Sequence, residues 1–449
     1  MGFNSLAFVF IFLPLFMAAY YLLPARLRLP SLCLGSAVFY LIGVWQRPWC
    51  LALLLALTAL SWLLGLRIRP GQSRALLTGG LVLLFGGLFF FKYAGLLGIG
   101  LALPLALSFY TIQLAAYLID VYRGRVQPQR SPMRFAAGTW MFPKLLSGPL
   151  MDPLSLQEQL SAAPAPTLSD LDDGLRDFVL GLSMKVLLAN QIGGLWRQVQ
   201  TIGYESVSTP MAWLGIIAYS LQLYLDFCGY SWMALGLGRM LGFRLPRNFD
   251  HPYAARSMRD FWRRWHISLG AWFREYVYIP LGGNQEGEGR TYLNLLAVWL
   301  LTGLWHGSTV NYLLWGLFVF ALIVSERLFL GRWLRRSRVL SRVYMLLVIP
   351  LSMMLFAIPD PGQIGIYLGR LFPIASRGVA VNAGDWLLYG RQYAWCLVLG
   401  VLLSTPLPER LWMRLRRTGW GTAALFLLFW ACVYCMSVAT NDPFMYFTF

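Results

Sequence analysis

Charge is scarce in this chain. Asp, Glu, Lys and Arg together make up 12 % of its 449 residues, against about 25 % in an ordinary soluble domain. Lysine is almost missing: of 37 cationic residues only Lys92, Lys144 and Lys185 are lysines, and the remaining 34 are arginines. Acidic residues number 19, which leaves a formal net charge of +18. Histidine occurs three times, at 251, 266 and 306. Six cysteines (Cys33, Cys50, Cys228, Cys396, Cys432 and Cys435) sit in or beside apolar stretches without metal-ligand spacing. That pattern sets aside a metal cluster and leaves buried thiols that pack as small hydrophobes. Low-complexity tracts and internal repeats are also missing.

What fills the chain instead is apolar. Hydrophobic residues reach 58 % and the mean hydropathy is +0.59. Many stretches approach the roughly 18 to 20 apolar residues that span hydrocarbon. The sequence therefore predicts an all-α polytopic membrane protein, with the lipid bilayer as its first partner. Candidate spans fall at 4–23, 31–45, 50–66, 75–91, 101–120, 174–195, 211–235, 291–306, 311–330, 341–358, 393–405 and 421–438. The first lacks a basic leader and a small-residue cleavage pattern, and reads as a retained span. Arginines gather in short loops: Arg26 and Arg28 after the first span, Arg67, Arg69 and Arg74 after the third, and Arg123, Arg125, Arg130 and Arg134 after the fifth. Such clustering is retention of cytoplasmic loops rather than a nucleic-acid surface, and it puts the N-terminus outside.

Three regions break the span-loop alternation. Residues 135–150 are apolar but interrupted by Pro143, Gly148 and Pro149, which suits a re-entrant or buried broken segment. Residues 151–172 read as a polar loop. Residues 239–290 are dense in Arg, Trp, Pro and Gly, and look interfacial or folded into the core. Within them, Met258–Phe273 reads as one helix, with Arg259, Arg263, His266 and Gly270 on one face and Phe261, Trp265, Leu269 and Trp272 on another. Asp260 and Arg264 stand four apart and can pair. An interfacial amphipathic helix is the plain reading of this run.

Ionisable groups at membrane depth are costly and tend to mark function. His306 ends an apolar run and is followed by Gly307, a helix-ending residue. An imidazole suits general-base work, because its unperturbed pKa lies close to working pH. A histidine that merely caps the helix C-terminus is the alternative. Asp226, with Gln222, Tyr230 and Ser231, stands inside a long apolar helix, and Asp120, Lys144 and Lys185 also lie in apolar settings. Pairing within the bundle is the simplest expectation for each.

Several ordered motifs then carry a resemblance. They are Leu-Ser-Phe-Tyr-Thr-Ile-Gln ending at 113, Tyr-Leu-Ile-Asp-Val-Tyr-Arg-Gly at 117–124, Phe-Pro-Lys-Leu-Leu-Ser-Gly-Pro at 142–149 and Asp-Phe-Cys-Gly-Tyr-Ser at 226–231. Gly-Phe-Arg-Leu-Pro-Arg-Asn-Phe at 242–249, Asp-Phe-Trp-Arg-Arg-Trp-His-Ile-Ser-Leu at 260–269, Tyr-Ile-Pro-Leu-Gly-Gly-Asn at 278–284 and Gly-Leu-Trp-His-Gly at 303–307 follow, and the chain ends Pro-Phe-Met-Tyr-Phe-Thr-Phe. In this order they resemble the membrane-bound O-acyltransferases, in the bacterial alginate O-acetylation branch, across nearly the whole chain.

That resemblance implies a single integral-membrane domain over 1–449, with the motifs concentrated at about 100–330. It implies a ring of about 11–12 transmembrane helices, plus re-entrant or interfacial helices, around a central funnel or tunnel. His306 matches the principal catalytic histidine and His266 the second. Arg263, Trp305, Asn311, Asp226 and Trp265 are the candidate donor-binding residues. The implied donor is acetyl-CoA, used as a substrate, with no tightly bound cofactor and no metal. The acetyl group would cross the bacterial inner membrane to a periplasmic or membrane-anchored SGNH-hydrolase-like partner and the exopolysaccharide machinery. Gly270, Ala271 and Ser308–Val310 depart from the expected pattern and leave the acceptor open among alginate, cellulose, another exopolysaccharide and peptidoglycan. A polysaccharide-export channel would use the same polar groups without acyl transfer, but transporters commonly show internal repeats.

Overall fold

In the computed structural model, residues 2–162, 165–373 and 381–439 are described, and the terminal 443–449 motif lies outside them. All regular structure among the described residues is helical. Nine helices there are long and apolar enough to cross a membrane: Ala25–Gly43, Trp49–Arg67, Arg74–Leu96, Leu168–Ile202, Thr209–Met240, Val310–Arg336, Arg338–Ala357, Asp385–Leu403 and Gly419–Val438. The protein is a multi-pass membrane protein. The other three expected spans are helices too, but shorter or more polar. Phe8–Leu22 is a shorter apolar helix, Leu107–Tyr122 has 16 residues, and Glu288–His306 opens on Glu288, Gly289 and Arg290.

The helices differ in what covers them. Most are apolar all round and only lightly buried by protein, whereas Thr209–Met240 is largely enclosed. A helix apolar on every side suits lipid on the outside, while an enclosed one is free to carry polar side chains that find protein partners. Gln222, Asp226, Tyr230 and Ser231 are on the enclosed helix, and all are buried.

The chain groups into two compact units. One comprises the described parts of Met1–Gly181, Tyr230–Arg247 and Met436–Thr448. It holds the broken segment expected at 135–150. Pro132–Trp140 and the one-turn helix Phe142–Leu145 are separated at Met141, and every residue from 141 to 151 is buried. Phe142 packs against Phe8, Phe12, Phe16 and Phe39 with ring centroids 5.3 to 6.2 Å apart, and its N–H donates to Ser36 Oγ at 3.1 Å. The expected polar loop 151–172 instead holds the helix Pro153–Ser161, because Asp152 caps it by accepting from Ser155 N and Pro153 occupies its first turn.

The second unit comprises Leu182–Gly229 and the described parts of Asn248–Cys435. Its closest helix pair is Glu288–His306 against Val310–Ser325. A Cβ at Gly316 would stand 2.4 Å from Trp299 O, and one at Gly303 2.6 Å from Tyr312 O. Glycine at both positions is what lets the two backbones touch, the usual device where helices pack without a hydrophobic drive.

A histidine-centred aromatic site

His306 is the last residue of Glu288–His306, and Gly307 continues in extended backbone. A side chain at 307 would collide with the Tyr312 ring, 2.1 Å from the nearest ring atom, so Gly307 lets that ring fold back beside the histidine. His306 is 8 % exposed. Its ring meets Trp305 at 5.0 Å, Trp315 edge-on at 5.2 Å, Phe356 at 5.1 Å and Tyr312 at 6.3 Å. The donor-binding candidate Trp305 therefore lies against the histidine.

Asn311, another such candidate, is committed to holding the scaffold. Its amide donates to Leu355 O at 3.0 Å and Phe356 O at 3.3 Å, while its Oδ1 accepts from Thr309 Oγ1 at 2.5 Å. These bonds tie the start of Val310–Ser325 to the end of Arg338–Ala357, and so fix Phe356 beside His306.

The continuous helix expected over Met258–Phe273 is broken. Two short helices form, Met258–Arg264 and Ile267–Phe273, with Trp265 and His266 between them. His266 has φ +44°, in the left-handed region that few non-glycine residues adopt. The cause lies in an earlier loop: Asp250 N donates to Arg264 O and Ile267 N to Asn248 O, at 3.0 and 2.9 Å. Asn248 Oδ1 also accepts from Ser268 Oγ at 2.6 Å. These bonds outcompete the helical ladder, so His266 no longer shares a face with Arg259 and Arg263. Both arginines are exposed. The expected Asp260–Arg264 pair forms, at 2.9 Å.

His266 is 3 % exposed and meets the Phe227 ring edge-on at 4.7 Å. Burial holds its imidazole well below the ordinary range, to about 3, because an apolar setting disfavours the imidazolium. His266 is thus a neutral imidazole at any working pH. The third histidine, His251, has Nε2 2.9 Å from Glu409 Oε2.

Sequence reading missed the residue that joins these parts, Trp262. It packs on Trp299 at 5.0 Å, Trp315 at 5.5 Å and Trp265 at 6.4 Å. From His306 a continuous run of rings passes through Trp315, Trp262, Trp265, Phe249 and Phe227 to His266. The indole N–H groups of Trp262 and Trp315 are buried without an acceptor among the described residues. A buried donor left unmet costs about 1–3 kcal/mol, so each needs a reason to be there.

Glu326 was missed as well. Its buried carboxylate accepts from Met258 N at 2.5 Å and Arg259 N at 3.2 Å, capping the helix that carries Trp262. An acid at the close of an apolar run was the available signal, but its partners lie 67 and 68 residues away. Asp226 pairs with Lys185 at 2.7 Å, as expected for an intramembrane acid. Lys185 also donates to Asn190 Oδ1 at 2.8 Å. Lys185 sits in a wide π-helical turn, Met184–Ala189, within its span. Among the described residues no group of three or more His, Cys, Asp or Glu side chains is placed to hold a metal.

Comparison with known proteins agrees with this architecture. The profile of the MBOAT, membrane-bound O-acyltransferase family, matches residues 197–367, which include both site histidines. A Pseudomonas putida protein named "Probable alginate O-acetylase AlgI" is 33 % identical over 502 aligned positions covering 100 % of both chains. Its namesake from Azotobacter vinelandii is 40 % identical over 70 % of this chain and 66 % of its own. A Helicobacter pylori protein named "Peptidoglycan O-acetyltransferase" is 33 % identical over 70 % of this chain and 68 % of its own. The chain is an O-acyltransferase of the membrane-bound O-acyltransferase family, in the branch that holds the AlgI proteins.

Proposed function

We propose that the protein moves an acetyl group from acetyl-CoA on the cytoplasmic side of the bacterial inner membrane towards an extracytoplasmic polysaccharide, by way of an SGNH-hydrolase-like partner. The names of its relatives, alginate O-acetylases and a peptidoglycan O-acetyltransferase, support acetyl as the group carried. The observation that carries the chemistry is the buried imidazole of His306 inside its ring of aromatics.

In this reading His306 takes the proton of the acceptor hydroxyl as its oxygen attacks the thioester carbonyl, since an unassisted hydroxyl is a poor nucleophile. The negative charge that develops on the carbonyl oxygen needs fixed donors. The buried indole N–H groups of Trp262 and Trp315 are suited to that task. When the C–S bond breaks, the proton on His306 passes to the departing thiolate. The aromatic wall excludes water that would otherwise hydrolyse the thioester.

His266, neutral and set in a strained turn, holds the second wall of the site. Trp305 and Trp265 line the acyl path, and exposed Arg263 meets the phosphates of the donor. Asp226 and Asn311 keep the surrounding helices in register. Membership of an O-acyltransferase family sets the export-channel reading aside.

The test is acetyl transfer from radiolabelled acetyl-CoA by purified protein with the SGNH-hydrolase-like partner and polysaccharide. Wild type labels the acceptor and His306→Ala, monodisperse and equally stable, does not. Equal labelling by both would remove His306 from the chemistry. Labelling by neither, with a different thioester restoring it in wild type only, would replace acetyl-CoA as donor.

A further inference from the structure

Two buried lysines in this protein are treated differently. Lys185 has the Asp226 carboxylate at 2.7 Å. Lys144 is 1 % exposed, and among the described residues no carboxylate lies within ion-pair distance of it. Its Nζ donates to the neutral Gln113 Oε1 at 2.6 Å. An ammonium offers three donors, so two are left over. Gln113 Nε2 is buried as well and has no acceptor among the described residues.

The backbone that carries the lysine is fixed on both sides. Its helical turn is held on one side by the Phe142 ring cage and the Ser36 bond. On the other, Gly148 N donates to Lys144 O at 3.2 Å. A Cβ at Gly148 would stand 2.4 Å from Lys144 Cα and 2.5 Å from Pro143 O, so only glycine permits this return of the chain. Charged residues on the helices around it are few. Arg26 and Arg28 stand at the first residues of Ala25–Gly43, and Arg134 in the first turn of Pro132–Trp140. Asp120, near the end of Leu107–Tyr122, is held by Arg123 at 3.8 Å and Arg125 at 3.5 Å. Phe8–Leu22 has no charged residue.

A bare buried ammonium costs several kcal/mol. It can lose its proton or gain an anion. Loss of the proton leaves the Gln113 amide half satisfied: with the amide turned either way, one of its two polar atoms faces no partner. An anion accepts from the ammonium and from Gln113 Nε2 together, and leaves neither orphaned.

We propose that Lys144 and Gln113 form an internal binding site for a small monovalent anion, a halide or a carboxylate. The site is independent of the acetyl-transfer reading, and its test needs no activity. Burial pulls the Lys144 pKa down to about 7, so anion affinity falls about tenfold per pH unit above that point, where the empty site loses its proton.

The experiment follows thermal unfolding of the purified protein in detergent with chloride, acetate or bulky gluconate at constant ionic strength. Chloride or acetate raises the melting temperature saturably over gluconate at pH 6, and the rise is lost at pH 9. Whichever of the two acts at lower concentration identifies the natural class. Lys144→Met removes the response and is at least as stable as wild type in gluconate, and Gln113→Leu weakens the response. Should both variants fail to fold, the wild type still decides: it broadens the chloride-35 resonance, and acetate reverses the broadening. Equal anion responses in wild type and Lys144→Met, or no broadening by wild type, would overturn the site.

Discussion

Replacing Asp226 with asparagine strands the Lys185 ammonium inside a span. The two charges are 2.7 Å apart and almost completely enclosed, with side-chain exposures of 1 % and 2 %. At an effective dielectric of about 20, charges at that distance attract by about 6 kcal/mol. Desolvating two ions offsets several kcal/mol each, so the intact pair contributes little net stability. Removing one partner is another matter, because the survivor keeps its desolvation cost. Asp226→Leu and Lys185→Met, like Asp226→Asn, are each expected to destabilise by about 3–5 kcal/mol, while Lys185→Met/Asp226→Leu returns to within about 1 kcal/mol of wild type. The assay is SDS-driven unfolding in mixed micelles, arranged as a double-mutant cycle. Additive losses in the double variant would refute the reasoning, since they mean that the charges are solvated and do not sense each other. The double variant is also expected to keep acetyl transfer. A stable double variant without transfer would return Asp226 to the donor site.

Three further expectations follow from other parts of the structure. Glu326→Ala leaves Met258 N and Arg259 N without their acceptor, at about 1–3 kcal/mol each; Glu326→Gln falls between it and wild type, and unchanged unfolding of Glu326→Ala would disprove the cap. Gly316→Ala drives a methyl against Trp299 O, costing about 1–3 kcal/mol by overpacking and reducing transfer through Trp299 and Trp315. Gly365→Ala, inside the helix Pro361–Leu371 where nothing lies within 4 Å, is its control and stabilises by about 0.5–1 kcal/mol through helix propensity. His266 titrates near 3 when folded and about 6.5 when unfolded, so below 6.5 the unfolded chain takes up the proton first. The stability it contributes is complete above about 6.5 and declines by about 1.4 kcal/mol per pH unit towards 3. His266→Gln should flatten that part of the stability–pH curve, and an unchanged slope would mean that the imidazole is solvated.

The spans could be read directly from the chain because hydropathy is a local sum. A run of about twenty apolar residues must find lipid or protein wherever it lies, and Pro, Gly and Asp-Pro punctuation marks where it stops. His306 was legible for the same reason, as a lone imidazole at the end of an apolar run, followed by glycine. The broken 135–150 segment announced itself through Pro143, Gly148 and Pro149. Where two local preferences competed, sequence could not decide. The periodicity of 258–273 favours one helix, and only the bonds from Asn248 and Asp250 to the segment Arg264–Ile267 turn it aside at His266. The partners that buried groups find are remote in sequence: Glu326 for Met258, Trp315 for Trp262, Lys185 for Asp226, Gln113 for Lys144. A buried polar group needs some partner, and composition declares that need. Which partner it finds is settled by backbone packing, where glycine contacts such as Gly303 and Gly316 bring distant turns within hydrogen-bonding reach.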